Sequence, residues 1–331
     1  MVEGKASTNL LRGLLFLSPA IFLLSIFTFY PLVNTFIISL KEDYNYMTNT
    51  FTAINFSNYV KVFTNSDYPY YLINTVLIVF VTVPISIILS LLISVALHSI
   101  KHLQKFFQTV FFLPYVTNTI AIGMVFSIMF ESYNQGLINT VLRFFGSEKA
   151  INWLGGNKDG ILLGKEFFTT GFFKTFARGA FFTPQWFTSM IVLMVYIIWN
   201  SLPFKILILL SSLQSIDKQY YQAAQIDGAS KFRTFMKITV PMLSPQIFYL
   251  LITSFIGAFK EYTSIVAIFG ENARPIGAQN NILGTVVWYV YNNIKAGGSM
   301  GIAAAGAVVL FAIIMVFTVI NNYVSKKRVF Y

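Results

Sequence analysis

Six runs of about twenty or more apolar residues, at 12–40, 72–97, 106–130, 187–210, 245–269 and 299–324, constrain this chain more than any motif in it. Coiled as an α-helix, a run of that length spans the roughly 30 Å hydrocarbon core of a bilayer, and its backbone groups satisfy one another without water. Composition closes off the soluble alternative, because 56% of the residues are hydrophobic and only 11% charged, too few to wrap a buried core. The chain therefore reads as an all-α integral membrane protein of six transmembrane helices, one transmembrane domain over residues 1–331, with the lipid bilayer as its first partner. The first run is far longer than the apolar core of a signal peptide and no small-residue cleavage site follows it, so it is expected to stay in the protein. Pro19, Pro31, Pro84, Pro114 and Pro203 interrupt the runs and mark expected kinks.

Six crossings put both termini on one side, together with the loops 98–105 and 211–244. Those segments hold Lys5, Arg12, Lys101, Lys105, Lys218, Lys231, Arg233, Lys237, Lys326, Lys327 and Arg328, against Lys41, Lys61, Arg274 and Lys295 in the two shorter loops opposite. Lysine and arginine accumulate on the cytoplasmic side, so both termini and the 211–244 loop are expected there, with 131–186 outside. The 131–186 loop is itself basic and is discounted, since long loops translocate with little regard to charge. The net charge of +11 then reads as a signal for orientation and anionic lipid, and no nucleic-acid partner is expected.

Chemistry is largely excluded. The chain has no cysteine and only His98 and His102 in a short basic loop, without a third ligand nearby, so they read as solvated histidines and no metal site is expected. No G-x-x-x-x-G-K-[ST] loop is present to cradle a nucleotide. Asp217 and Asp227 stand apart from any cluster of carboxylates or histidines, so no catalytic residue and no cofactor are expected in this chain. Within the long outer loop, Phe168, Phe172 and Phe176 recur at four-residue spacing around Lys174. Two readings stay open: an amphipathic helix at the outer interface, or a loop packed on the helix ends.

One polar stretch breaks the pattern, "YYQAAQIDGASKFRTFMKITVPMLSP" at 220–245. Asp217 can cap a helix through "KQYYQAAQI", Gly228 can end it, Ser230 can cap a second helix, and Pro241 is expected to terminate that one. Small Ala223 and Ala224 permit close approach on one helix, while Phe232, Phe235, Met236 and Thr239 share a face of the next. Physics alone leaves open a knob for a partner's groove or a hairpin lying on the bilayer.

The stretch resembles the "EAA" loop of permease subunits of binding-protein-dependent ABC importers, through Ala223, Ala224, Asp227, Gly228, Ala229, Pro241, Leu243 and Pro245. "IWNSLPF", "LSSLQSID", "FFLP", "GLIN" and "WL" look like the sugar-permease branch, and "AFKEY", "VVWYVYNN" and "GIAAAGAVVLF" look like the maltose-permease type. Two departures stand out: Gln222 holds the position of the family's Glu, and about 158–184 looks like an insertion. The resemblance implies the type I ABC importer permease fold in a bacterial-type inner membrane. It also implies a second homologous permease, an ATPase dimer that binds ATP and Mg, an extracellular sugar-binding protein, and a carbohydrate substrate. The 211–244 loop would be the coupling loop, with Tyr221, Gln222, Ala223, Ala224, Asp227, Gly228, Ala229 and Phe232 meeting the ATPase.

The same resemblance puts the sugar-contacting positions at Asn200, Ser201, Phe204, Lys260, Glu261 and Thr263. Charges at membrane depth cost about 2.5 to 3.5 kcal/mol each on insertion scales, so Lys260 and Glu261 are expected to face a polar lumen, which Lys205 can share, or to pair with the sister subunit. The implied function is sugar import driven by a separate ATPase. A permease for a non-sugar substrate is the alternative, and an ion-coupled secondary transporter fits less well because it needs no docking hairpin.

Overall fold

The computed structural model describes residues 3–100, 104–165, 181–295 and 299–328. Four helices there are long and apolar enough to cross a bilayer: Gly13–Leu40, Tyr68–Ser99, Pro184–Ser215 and Met300–Tyr323. Two more stretches qualify only as bent pairs, Phe106–Val116 with Thr119–Met129 at 100°, and Lys231–Met242 with Ser244–Phe259 at 65°. Two of the expected spans are broken: 106–130, in which Pro114 marks a kink, divides between Val116 and Thr119, and 245–269 divides between Phe259 and Thr263. In the first, Asn118 leaves helical geometry and its side chain accepts the N–H groups of Ile120 and Ala121, so a new helix starts instead of the old one continuing. In the second, the helix Ser244–Phe259 stops before Lys260, and Thr263–Phe269 begins after a non-helical link. Phe168, Phe172, Phe176 and His102 lie outside the described residues.

The described chain divides into two compact units. One contains Met1–Ser66 and Tyr289–Phe311. Here Pro31 has no N–H to offer, and just before it the turn Ser25–Phe29 widens to a π-helix in which Tyr30 N–H reaches Ser25 O. At the far end of this helix, Asn58 Nδ2 donates to Ser39 O at 3.0 Å and to Lys41 O at 2.8 Å, capping carbonyls that the helix leaves unmatched. The chain then turns through a two-stranded antiparallel pair, Lys41–Glu42 with Ala53–Ile54. Glu42 fixes that turn by accepting from Ser57 Oγ at 2.6 Å and Asn55 Nδ2 at 2.7 Å. Lys61 Nζ lies 3.0 Å from Asp43 and 3.6 Å from Glu42.

The other unit contains Asp67–Trp288 and Ala312–Tyr331. Its centre is the packing of Tyr68–Ser99 on Pro184–Ser215. Ser86, Ser90 and Ser94 recur one turn apart on the first helix and are buried. Small side chains whose hydroxyls are satisfied locally let a second backbone approach, and Ser94 Oγ donates across to Ile206 O at 3.2 Å. Leu97, Ile206 and Leu210 close the same interface with apolar contact. The broken helices also meet: Thr119–Met129 packs on Thr263–Phe269, where a Cβ at Gly123 would collide with Ala267.

Side-chain amides hold the connecting segments of this unit. Asn74 Nδ2 donates to Ile282 O and Gly284 O, both at 2.9 Å, and Asn74 Oδ1 accepts from Trp186 Nε1 at 2.9 Å. Asn139, on the short helix Leu137–Phe144, shares its Nδ2 among the carbonyls of Glu131, Tyr133 and Ile151 and accepts from Ile151 N–H and Trp153 Nε1–H. A buried amide with both ends satisfied fixes backbone that has no regular ladder of its own.

Candidate functional site

Two places bring together the residues singled out in the sequence. The first is a cavity of about 360 Å³. The helix Pro184–Ser215 presents Asn200, Ser201, Phe204 and Lys205 to it, and Pro203 in the same turn cannot donate to the carbonyl four residues back, which loosens the helix there. Phe204 stacks on Tyr115 with ring centroids 5.9 Å apart and planes 19° from parallel. Lys205 is only 5% exposed and donates to Ser86 Oγ and, at 3.1 Å, to Ser201 Oγ.

Opposite, Glu261 lines the cavity from the broken fifth span, with Thr253, Ser254, Gly257 and Ser264. Its carboxylate accepts Ser264 N–H at 3.0 Å, holding the start of Thr263–Phe269, and its carbonyl accepts Thr285 Oγ1 at 2.8 Å. Lys260 and Thr263 are exposed and do not line the cavity. The reason is the helix end: Lys260 N–H closes back on Gly257 O at 3.0 Å, so the chain leaves helical geometry between Lys260 and Glu261, and adjacent residues no longer follow one helical face. No ion pair joins Lys205 to Glu261 among the described residues, so a cation and a carboxylate face one polar space.

Tyr115, Thr253, Ser254 and Ser264 went unnoticed in the sequence. The run Thr253, Ser254, Gly257, three small or polar residues within five positions of an apolar span, was the signal for three of this side's contributions.

The second place is the polar hairpin. Asp217 caps Lys218–Ile226 by accepting Gln219 N–H at 2.9 Å. Gly228 sits at φ +66°, and Gly228 N–H reaches Gln225 O at 3.1 Å while Ala229 N–H reaches Ala224 O at 2.9 Å, the paired bonds of a Schellman terminus. Ser230 then caps Lys231–Thr234. Pro241 does not end this second helix, because a π turn at Phe235–Thr239 absorbs the missing N–H; the chain bends at Leu243 instead.

Ala224 is buried and Tyr221 half-buried, its hydroxyl 3.3 Å from Thr239 Oγ1, so these two brace the hairpin from inside. Gln222, Ala223, Asp227 and Gly228 are exposed, and Ala229 is half-buried. Ile226 and Phe232, 87% and 72% exposed, are the large apolar side chains at its tip. Among the described residues no three His, Cys, Asp or Glu side chains gather to hold a metal.

Residues 93–329 match the family described as "Binding-protein-dependent transport system inner membrane component". The chain belongs to this family. As a binding-protein-dependent permease it is a multi-pass inner-membrane transport subunit and not an enzyme. It is 27% identical over 94% of its length to the arabinooligosaccharides transport system permease AraP of Bacillus subtilis (strain 168), covering 87% of that protein. The trehalose/maltose permease MalF of Thermococcus litoralis is 27% identical, over 96% of this permease and 94% of its relative. The lactose permease LacF of Rhizobium radiobacter is 28% identical, over 96% and 95%. Among solved structures, a chain of a bacterial ABC transporter importing the acidic polysaccharide alginate shares the fold, with TM-score 0.69 at 19% identity and 98% of each chain covered.

Proposed function

We propose that this permease forms the translocation path of an ATP-driven importer of mono- to oligosaccharides. The observation that carries the reading is the polar cavity: an amide at Asn200, a hydroxyl at Ser201, a ring at Phe204 and two charged groups at Lys205 and Glu261 supply hydrogen bonds and a stacking face for a sugar. Arabinooligosaccharide, maltose and lactose permeases among its relatives support the same class. The hairpin 211–244 is the cytoplasmic coupling loop. Its apolar tip at Ile226 and Phe232 docks on an ATPase dimer, which binds the ATP and Mg, so that closure of the ATPase is transmitted to the membrane helices. A second homologous permease completes the path, and an extracellular sugar-binding protein delivers substrate. Both termini are cytoplasmic and 131–186 lies outside.

A second reading has a specific observation behind it, the buried Lys205, since a cation in the path also suits a phosphorylated polyol. The sn-glycerol-3-phosphate permease UgpA of Agrobacterium fabrum is 26% identical over 98% of this chain. Uptake by proteoliposomes of the whole complex decides between them. ATP-dependent accumulation of radiolabelled maltose, lactose or arabinooligosaccharide is expected. Accumulation of glycerol 3-phosphate alone would replace the sugar reading with the second one, and uptake without ATP would remove both.

A further inference from the structure

The short helix Leu137–Phe144 leaves an apolar stripe open. Leu137, Val141, Phe144 and the following Phe145 keep the i, i+4, i+7, i+8 spacing of one helical face and are 54%, 47%, 88% and 80% exposed. Phe144 and Phe145 meet edge to face with ring centroids 5.6 Å apart. A continuous apolar surface left uncovered in the folded chain marks a contact with something other than water.

The helix cannot turn to bury this stripe. Successive residues advance about 100°, which sets Asn139 on the far side. That buried amide donates to Glu131 O, Tyr133 O and Ile151 O and accepts from Ile151 N–H and Trp153 Nε1–H, all at 3.0 to 3.1 Å. The same bonds tie the helix to the end of the third span. Glu131 follows closely on Met129, where Thr119–Met129 ends, and a Cβ at Gly136 would collide with Glu131 O. The Trp153 ring stands edge-on to Phe130 at 5.4 Å. Thr119–Met129 carries an exposed apolar stripe of its own, Ile120, Met124 and Ile128, so a membrane-facing surface reaches almost to Glu131.

The open surface of Leu137–Phe144 is divided by chemistry. Ile138 and Leu142, on one flank of the stripe, are half-buried, whereas Thr140 and Arg143, on the other, are exposed. One side is thus held by protein, a second is apolar and a third is polar and cationic. We infer that Leu137–Phe144 is an interfacial helix lying in the plane of the bilayer, with Leu137, Val141, Phe144 and Phe145 seated in the outer leaflet beside the third span. The rings and aliphatic chains enter the boundary between headgroups and acyl chains, while the Arg143 guanidinium reaches anionic headgroups. The inference rests on the proposed topology only for the name of the leaflet.

The chain has no cysteine, so single nitroxide labels on Phe144→Cys, Val141→Cys and Thr140→Cys report on this helix in the whole importer complex, its other subunits made cysteine-free. Nanodiscs of phosphatidylethanolamine and phosphatidylglycerol open both leaflets to water, so the reading does not depend on which side 131–186 faces. Oxygen concentrates in hydrocarbon and a nickel chelate stays in water. The ratio of oxygen to nickel collisions is expected to be severalfold higher at 144 and 141 than at 140, as for side chains about 5 to 10 Å into the boundary. Adding loaded binding protein is expected to leave all three positions unchanged. Phe144→Trp, which needs no label, is expected to add fluorescence that lipids brominated high on the acyl chain quench. Ratios at 144 and 141 no higher than at 140, or no added quenching, put the stripe in water and overturn the proposal. A label at 144 shielded from both collision partners means that the sister permease covers the stripe, and shielding that arises only with binding protein means a docking surface. Either result overturns the interfacial helix.

Discussion

Lys205 and Lys260 show how position decides what an intramembrane lysine does. Lys205 is buried against Ser86 and Ser201, yet both hydroxyls also donate to carbonyls of their own helices, Val83 O at 2.9 Å and Ile198 O at 2.8 Å. Removing the ammonium therefore leaves no hydroxyl hydrogen unmatched. Lys205→Met is expected to assemble normally, with a stability change near 1 kcal/mol, while uptake falls at least tenfold through the lost charged hydrogen-bond donor. Thermal unfolding of the complex and initial uptake rates separate the two effects. Lys260→Gln, at an exposed helix end, is expected to keep uptake within roughly twofold of wild type, as for most surface substitutions. A large loss there would return Lys260 to the substrate path.

At the scale of the element, the hairpin and the 41–61 turn are each held by a few identifiable bonds. Open space surrounds the position where Gly228 would carry a Cβ, so its requirement for glycine is conformational and not steric. Asn tolerates the left-handed region and a β-branched residue does not. Gly228→Asn is thus expected to retain ATP hydrolysis stimulated by loaded binding protein, and Gly228→Val to lose most of it while the complex still assembles. Equal activity in both variants would show that the hairpin's fixed angle is not what couples.

In the 41–61 turn, hydrogen bonds from Ser57 and then Asn55, aided by Lys61, hold the Glu42 carboxyl below its usual range. Lys61 is raised, chiefly by its bond to Asp43. The signs set a window. The Glu42 contribution is present above the unfolded carboxylate pKa and is lost as pH falls through the lower folded value. The Lys61 contribution is full below the unfolded lysine pKa and is lost as pH rises through the higher folded value. Hydrogen exchange over 41–61 should therefore accelerate at both acid and strongly alkaline pH, and Ser57→Ala should move the acid onset upward.

At the scale of the larger unit, two spans that would be straight by hydropathy alone are broken, and the short helices beyond the breaks pack on each other at Gly123 and Ala267. Gly123→Ala is expected to cost about 1 to 3 kcal/mol by overpacking, and Ala267→Gly in the same chain should restore much of it. Melting of the single and double variants reports the coupling. Additive losses would mean that the two helices do not share that contact. The chain's apolar exterior is of a different kind: the exposed Phe16, Phe22 and Phe27 of the first span present a surface that suits lipid or a neighbouring membrane subunit and no aqueous phase.

The sequence by itself determined the membrane class, the helical content, the hairpin with its Asp217, Gly228 and Ser230 signals, and the family, because these depend on hydrophobic run length, local backbone preference and motif spacing. Asn200, Ser201, Phe204 and Glu261 were legible through the resemblance to the maltose-permease type, Glu261 also as a charge at membrane depth, and tertiary structure brings these four to one cavity. What the sequence did not determine is where the apolar runs break. Hydropathy averages over some twenty residues and does not register one side chain such as Asn118 taking two backbone N–H groups, or one helix ending at Lys260. Those breaks turn Glu261 inward and leave Lys260 exposed. Helix packing also brings Thr253, Ser254 and Tyr115, drawn from separate spans, to the cavity that Lys205 lines. Residues distant in sequence become neighbours only through packing, and so the membership of the site was decided by the fold.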